Sequence, residues 1–113
     1  MKKRFYHKKL IRDKIPEFIK ATNDDFETRV MDDLEFEAEL KKKLVEESKE
    51  VLAAPKEELM NELADVLQLI KSIATHYQMK FRDVEKYQKD KKKKRGAFAK
   101  KLFLVWSTGK GGK

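Results

Sequence analysis

The sequence lacks residues on which several classes of small protein depend. Its 113 residues include no cysteine, which excludes a disulfide framework and a thiolate zinc site. Four glycines and two prolines are too few for a loop-rich all-β domain. The longest apolar run, Leu102 to Trp106, is too short to cross a bilayer, and no signal-peptide core follows the basic start. We therefore expect an all-α, cytoplasmic protein that does not enter a membrane.

Charge is what the chain has in abundance. Charged residues make up 42% of it, and the formal net charge is +8. Residues 1–20 carry a net +6 and residues 86–113 a net +10, whereas residues 21–85 carry −8. This distribution suits a protein that collects cations at its centre and polyanions at its flanks, although the run Lys91–Lys94 is equally typical of a solvated face.

Two long helices form the centre of the predicted fold. Asp32 and Glu35 make a capping pair that opens a helix over about Asp33–Leu52. Pro55 suits the first position of a second helix, which we expect to reach Gln78. The short connection predicts an antiparallel helical hairpin.

Shorter elements flank this hairpin. Pro16 lies in the first turn of a short helix over Asp13–Ala21. A shorter third helix follows the hairpin and stops at Gly96. The remaining predicted segments are this third helix at Phe81–Lys94, a short strand at 28–31, a strand or extended arm at 97–106, and a disordered tail at 107–113. Residues 1–106 are expected to form one all-α domain.

Helical periodicity places carboxylates beside apolar side chains. Glu47 falls in the apolar stripe that contains Leu40 and Leu44. Glu62 lies near one edge of the apolar arc of the second helix, and Asp65 lies just beyond that edge. Since desolvating an unpaired carboxylate is costly, we expect a compensating charge nearby.

The spacing of these carboxylates indicates what compensates them. Glu47 and Glu50 are three residues apart, as are Glu62 and Asp65. The two pairs are mirrored about Lys56, so an antiparallel hairpin brings all four carboxylates together about 9–14 Å from the turn. Four such charges repel unless a cation lies among them, and an all-oxygen cluster favours magnesium or manganese. A structural metal site and plain surface charge are the alternatives.

A di-iron carboxylate bundle is a rival reading, since it also uses carboxylates on facing helices. That class normally needs Glu-x-x-His pairs, and no histidine follows Glu47 or Glu62 at that spacing. We attribute His76 to the dipole at a helix C-terminus and His7 to an exposed position. Neither histidine is expected to bind a metal.

Three sequence elements resemble one known family. Glu46-Glu47-Ser48-Lys49-Glu50 followed by Glu62-Leu63-Ala64-Asp65 resembles the E-E-x-x-E and E-x-x-D motif of the MazG-type, all-α nucleoside triphosphate pyrophosphatase superfamily. The segment from Lys9 to Pro16 is similar to the opening of its phosphoribosyl-ATP pyrophosphohydrolase-like branch, and Arg95-Gly96-Ala97-Phe98 resembles that branch's R-G-G-F element. The likeness covers about residues 6 to 104.

The resemblance implies a magnesium-dependent hydrolase. Nucleoside triphosphates, including non-canonical ones, would be cleaved between the α and β phosphates to a monophosphate and pyrophosphate. Glu46 and Glu47 would be catalytic. The implied magnesium ligands are Glu47, Glu50, Glu62 and Asp65, and the implied phosphate-binding residues are Lys9, Arg12, Lys91 and Arg95.

Two other functions stay open at this point. One is the same chemistry on phosphoribosyl-ATP in histidine biosynthesis, because that substrate also presents a triphosphate on a ribose. The other is a non-enzymatic nucleic-acid binder that uses both basic ends, although this reading gives no reason for mirrored carboxylates.

The apolar arc of the second helix is too wide for one partner helix, which predicts a homodimer or tetramer built on four-helix bundles.

Overall fold

Residues 3–110, the part of the chain that this computed structural model describes, contain four α-helices and no β-strand. The helices are α1 (Ile15–Ala21), α2 (Asp33–Ala53), α3 (Lys56–His76) and α4 (Phe81–Arg95). The all-α prediction is confirmed. Within these residues no helix is long and apolar enough to cross a membrane. The chain divides into two compact units between Phe81 and Arg82.

The start of α2 is set by local side-chain chemistry. The Asp32 carboxylate accepts a hydrogen bond from the backbone N–H of Glu35 at 2.8 Å, as predicted for the capping residue. The Glu35 carboxylate, in contrast, accepts two hydrogen bonds from Arg29, at 2.6 and 2.7 Å. This charged fork ties the preceding segment to the first turn of α2.

The hairpin turn is made by two extended residues, Ala54 and Pro55. Pro55 is the N-cap of α3 and so lies one position before the helix, where its missing N–H costs nothing. The side chains of Glu37 and His76, which lie near the far ends of α2 and α3, are 2.9 Å apart. Because these two side chains lie far from the turn in both helices and still meet, the helices run antiparallel, as predicted.

The end of α3 differs from the sequence prediction, because the helix stops at His76 rather than Gln78. Gln78 has a φ of +60°, and its N–H donates to the Thr75 carbonyl at 3.0 Å. The Met79 N–H donates to the Ala74 carbonyl at 2.8 Å. These two bonds form a Schellman motif with glutamine in the left-handed position where glycine is usual, so the sequence did not signal the stop.

α4 ends as predicted, at a glycine. Gly96 has a φ of +82°, and its N–H donates to the Lys92 carbonyl at 2.8 Å. The helix reaches Arg95, one residue beyond the predicted end.

The core of the hairpin is thin. Among the described residues only Leu40, Leu69 and Ala74 are buried, and all three lie on α2 or α3. Leu40, which is 2% exposed, belongs to the apolar stripe that the sequence predicted for α2. The free energy of folding therefore depends on a small apolar contact between two helices.

A second apolar surface of the hairpin is left uncovered. We call it the apolar face, and it consists of Leu34, Val45 and Leu52 on α2 and Met60, Leu63 and Leu67 on α3, all between 44% and 88% exposed. By helical geometry each set lies more than about 90° around its helix from the carboxylates, in the same rotational sense. In an antiparallel pair, both sets then point to the side of the hairpin opposite the carboxylates.

The strand prediction for residues 28–31 is wrong, and of the two alternatives for residues 97–106 the strand does not form. Residues 28–31 form no strand, since nothing in the described chain pairs with them and Val30 is 99% exposed. Residues 97–106 form an irregular arm with a turn in which the Lys101 N–H donates to the Phe98 carbonyl. Residues 107–110 contain no helix or strand, and 111–113 lie outside the described residues.

Candidate metal centre

Three carboxylates from the two arms of the hairpin meet at one place. Glu47 on α2 and Glu62 and Asp65 on α3 each offer an oxygen that lies within 4.8 Å of the other two. All three side chains are half-buried. This acidic cluster contains three of the four predicted metal ligands.

The cluster follows from the register of the hairpin. Glu62 and Asp65 are three residues apart and so lie on one flank of α3. Glu47 and Asp65 are each nine residues from Lys56, and the antiparallel packing brings them level across the helix interface. Glu47 is half-buried and lies on the same stripe of α2 as the buried Leu40.

The other two carboxylates of the motif, Glu46 and Glu50, are not part of this cluster. Glu50 is exposed and is not among the three that meet, but its negative charge still helps to raise the pKa of Glu62. Glu46 is exposed on α2, about 100° around the helix from Glu47. Of the two, only Glu50 is close enough for its charge to act on the acidic cluster.

Glu62 is the carboxyl group whose ionisation the cluster disfavours. Its pKa is raised above the ordinary value, first by partial burial and then by the negative charges of Asp65, Glu47, Glu50 and Glu58. Both causes disfavour the charged form. A cation among these groups would remove most of this penalty.

Two basic side chains approach the acidic cluster. Arg12 donates from Nη2 to Oδ1 of Asp65 at 2.6 Å. Lys43 lies one helical turn before Glu47, with its Nζ 4.0 Å from the Glu47 carboxylate. Arg12 was predicted to bind phosphate, and the structure places it against a predicted metal ligand.

The remaining predicted phosphate-binding residues belong to two different parts of the chain. Lys9 is exposed and lies three residues before Arg12 in the segment that leads into α1. Lys91 and Arg95 lie on α4, whose last turn is entirely basic. α4 falls almost wholly in the second compact unit.

One polar pair was missed from the sequence. His76 is bonded to Glu37 at 2.9 Å with its side chain only 14% exposed, and its ring packs edge-on against Phe36. The helix-dipole explanation for His76 was therefore incomplete. Glu37 and His76 are 19 and 20 residues from Lys56, so the mirror spacing that indicated the carboxylate pairs was also present here.

The raised pKa of Glu62 predicts how the stability of the metal-free protein depends on pH. The folded chain holds a proton on Glu62 at a pH where the unfolded chain, with a pKa of about 4.3, has lost it. The Glu62 contribution to folding therefore becomes more favourable as the pH falls from 7 toward that value. We expect Glu62→Gln to raise the melting temperature at pH 7, and the gain over the parent to shrink as the pH falls toward the pKa of the unfolded chain. Thermal melts in EDTA measure this, and a gain that stays constant or grows contradicts the assignment.

Comparison of the chain with protein families, with curated proteins and with solved structures finds no match.

Proposed function

We propose that this chain is a magnesium-dependent nucleotide pyrophosphohydrolase of the cytoplasm, with manganese as an alternative ion. It would cleave a nucleoside triphosphate between the α and β phosphates and release a monophosphate and pyrophosphate. The observation that carries this proposal is the convergence of Glu47, Glu62 and Asp65 from two helices. The resemblance of the surrounding motifs to MazG-type pyrophosphatases supplies the reaction.

The residues of the cluster suit a hard divalent cation. All donor atoms are carboxylate oxygens, which magnesium and manganese prefer. Of the two nearby cations, Arg12 is hydrogen-bonded to Asp65, and Lys43 lies 4.0 Å from Glu47. Glu62 has four carboxylate neighbours that raise its pKa. A bound divalent ion supplies neutralisation of phosphate charge and a lower pKa for a coordinated water.

Each carboxylate is assigned a part in metal binding or in proton transfer. Glu47, Glu62 and Asp65 hold the ion, and Glu50 adds negative charge from the margin and is the fourth proposed ligand. Glu46 and Glu47 are the candidates to accept the proton of the attacking water, Glu47 because it belongs to the acidic cluster and Glu46 on the resemblance of its motif to the family. Glu46 keeps solvent access, which allows it to pass that proton to bulk water.

The triphosphate requires positive charge from the protein as well. Arg12 is the first candidate, because it is already at the acidic cluster and its planar guanidinium can fork onto two phosphate oxygens. Lys9, from the same segment, is the second. Lys91 and Arg95 are proposed on the resemblance of their segment to the family's C-terminal element.

Pyrophosphate release from a panel of nucleotides tests the proposal. The panel contains canonical and modified triphosphates and phosphoribosyl-ATP, each assayed with magnesium and with EDTA. We expect turnover of at least one compound with magnesium, with monophosphate and pyrophosphate as the products by ³¹P NMR. Preference for phosphoribosyl-ATP would assign the histidine-biosynthetic reaction. A folded sample that is inactive on the whole panel, yet binds duplex DNA without magnesium, would contradict the proposal and favour the nucleic-acid binder.

We propose that a second copy of the chain covers the apolar face, giving a homodimer or a tetramer built on four-helix bundles. Six large apolar side chains exposed on one side of a two-helix hairpin are more than a monomer normally leaves in water. A four-helix bundle buries such a surface.

The oligomer proposal predicts that one buried charge dissociates the assembly. Leu67 lies on the apolar face, so Leu67→Glu should convert the parent oligomer to monomer at micromolar concentration. Light scattering coupled to gel filtration measures the mass. Gln68→Glu is the matched control, because it adds the same charge on the next, exposed residue outside the apolar face and should leave the mass unchanged. A monomeric parent, or a Leu67→Glu variant with the parent mass, contradicts this proposal.

A further inference from the structure

Arg12 forms an ion pair with Asp65, one of the three carboxylates that the proposed function assigns to a metal ion. Its Nη2 lies 2.6 Å from Oδ1 of Asp65, a short, charge-assisted hydrogen bond between residues 53 positions apart. Asp65 in turn lies within 4.8 Å of Glu47 and Glu62. Arg12 therefore neutralises one of the three charges that would attract a divalent ion.

The backbone and the side chain of Arg12 differ in how firmly they are held. The Arg12 carbonyl accepts a hydrogen bond from the Ile15 N–H at 3.1 Å at the start of α1. The neighbouring Leu10 and Ile11 are half-buried. The Arg12 side chain is 57% exposed, and Asp65 is its hydrogen-bond partner. The guanidinium can therefore leave Asp65 while the backbone stays in place.

We propose that Arg12 is an internal cation that occupies Asp65 until a divalent ion enters the acidic cluster, and that its release then makes it available to the phosphates of the substrate. This inference rests on the proposed metal centre. A guanidinium and a divalent cation on the same carboxylate repel each other, so binding of the ion weakens the pair between Arg12 and Asp65. The freed guanidinium then lies beside the ion, where a phosphate chain must bind.

Removal of Arg12 should have opposite effects on metal affinity and on turnover. Without nucleotide Arg12 competes with the metal, so its removal should tighten metal binding. With nucleotide it supplies a phosphate contact, so its removal should slow turnover. If Arg12 only held Asp65 in position, its removal would weaken metal binding and also slow turnover.

Manganese titration of the metal-free protein tests the competition. We expect Arg12→Gln to lower the dissociation constant for Mn²⁺ roughly two- to fivefold, in line with the modest strength of an exposed ion pair. The same variant should lose at least about tenfold in turnover, since a charge-assisted phosphate contact is lost.

Arg29→Gln is the matched control. Arg29 also pairs with a carboxylate at 2.6 Å, that of Glu35, and its removal changes the net charge by the same amount. Glu35 precedes Glu47 by twelve residues on α2, which is about 18 Å along a helix, so Arg29→Gln should leave Mn²⁺ affinity unchanged.

The possible results separate this inference from the metal centre itself. If the parent binds Mn²⁺ and Arg12→Gln binds it equally or more weakly, the competition is wrong and the metal centre stands. If the parent binds no Mn²⁺, both fail together.

A second measurement uses the parent protein alone and so does not depend on whether the variant folds. The guanidinium ¹⁵N–¹H signal of Arg12 should shift on addition of Mg²⁺, and an unmoved signal while Mg²⁺ binds overturns the proposal.

Discussion

Glu62→Gln should reduce magnesium-dependent pyrophosphate release by roughly a hundredfold or more, because the variant loses a charged ligand rather than an outer-shell contact. Glutamine has nearly the same shape as glutamate, so the hairpin should keep its packing. Glu62 is the member of the acidic cluster whose pKa is raised by partial burial and by neighbouring carboxylates, and its neutralisation should stabilise the metal-free fold. Circular dichroism and turnover on the same sample measure both effects.

Glu57→Gln is the control for this experiment. Glu57 is an exposed carboxylate in the first turn of the same helix, five residues before Glu62, and it is not part of the acidic cluster. Its turnover should stay within about twofold of the parent, because a single exposed charge is screened by salt. Equal loss in both variants would show that α3 tolerates no change of charge, and near-normal turnover of Glu62→Gln would remove Glu62 from the site.

Leu40→Ala should destabilise the fold by about 2–5 kcal/mol, through lost apolar burial and the cavity left behind. Leu40 is the most buried hydrophobic residue of the described part of the chain and lies in a core that contains only two other buried residues there. Since small domains are stable by about 5–15 kcal/mol, this change should remove a large part of the free energy of unfolding and lower the urea midpoint clearly. Urea denaturation followed by circular dichroism measures it.

Leu104→Ala removes the same atoms from an exposed position in the irregular arm, where Leu104 is 69% exposed. The expected effect is within about 0.5 kcal/mol. A Leu40→Ala variant as stable as Leu104→Ala would mean that the contact between α2 and α3 does not hold the fold together.

The helices were predictable because their signals are local. The Asp32 cap and Gly96 lie next to the ends that they determine, and the apolar period of 3.6 residues set the stripe that contains Leu40. The end of α3 was missed because Gln78 adopts a left-handed conformation that sequence rules assign to glycine or asparagine. The false strand at 28–31 had the right residues but no partner strand.

The acidic cluster was predictable in part, because equal spacing from the turn means that two residues lie at the same distance along the hairpin axis. This spacing brought Glu47 level with Asp65, and the structure confirms that they meet. It does not give the direction of a side chain around the helix, and Glu50 is level with Glu62 but exposed. The pairing of Arg12 with Asp65 joins residues 53 positions apart through an irregular segment, so no local period could reveal it.

Counting bound Mn²⁺ by electron paramagnetic resonance tests whether the three carboxylates hold a divalent ion. The parent and a Glu47→Gln, Glu62→Gln double variant are titrated at low ionic strength, and free Mn²⁺ is read directly from its signal. We predict at least one ion per chain on the parent, displaced by Mg²⁺, and none at that site on the double variant. A parent that leaves all Mn²⁺ free, or a double variant that binds as many ions as the parent, would contradict the metal centre and the enzymatic function proposed from it.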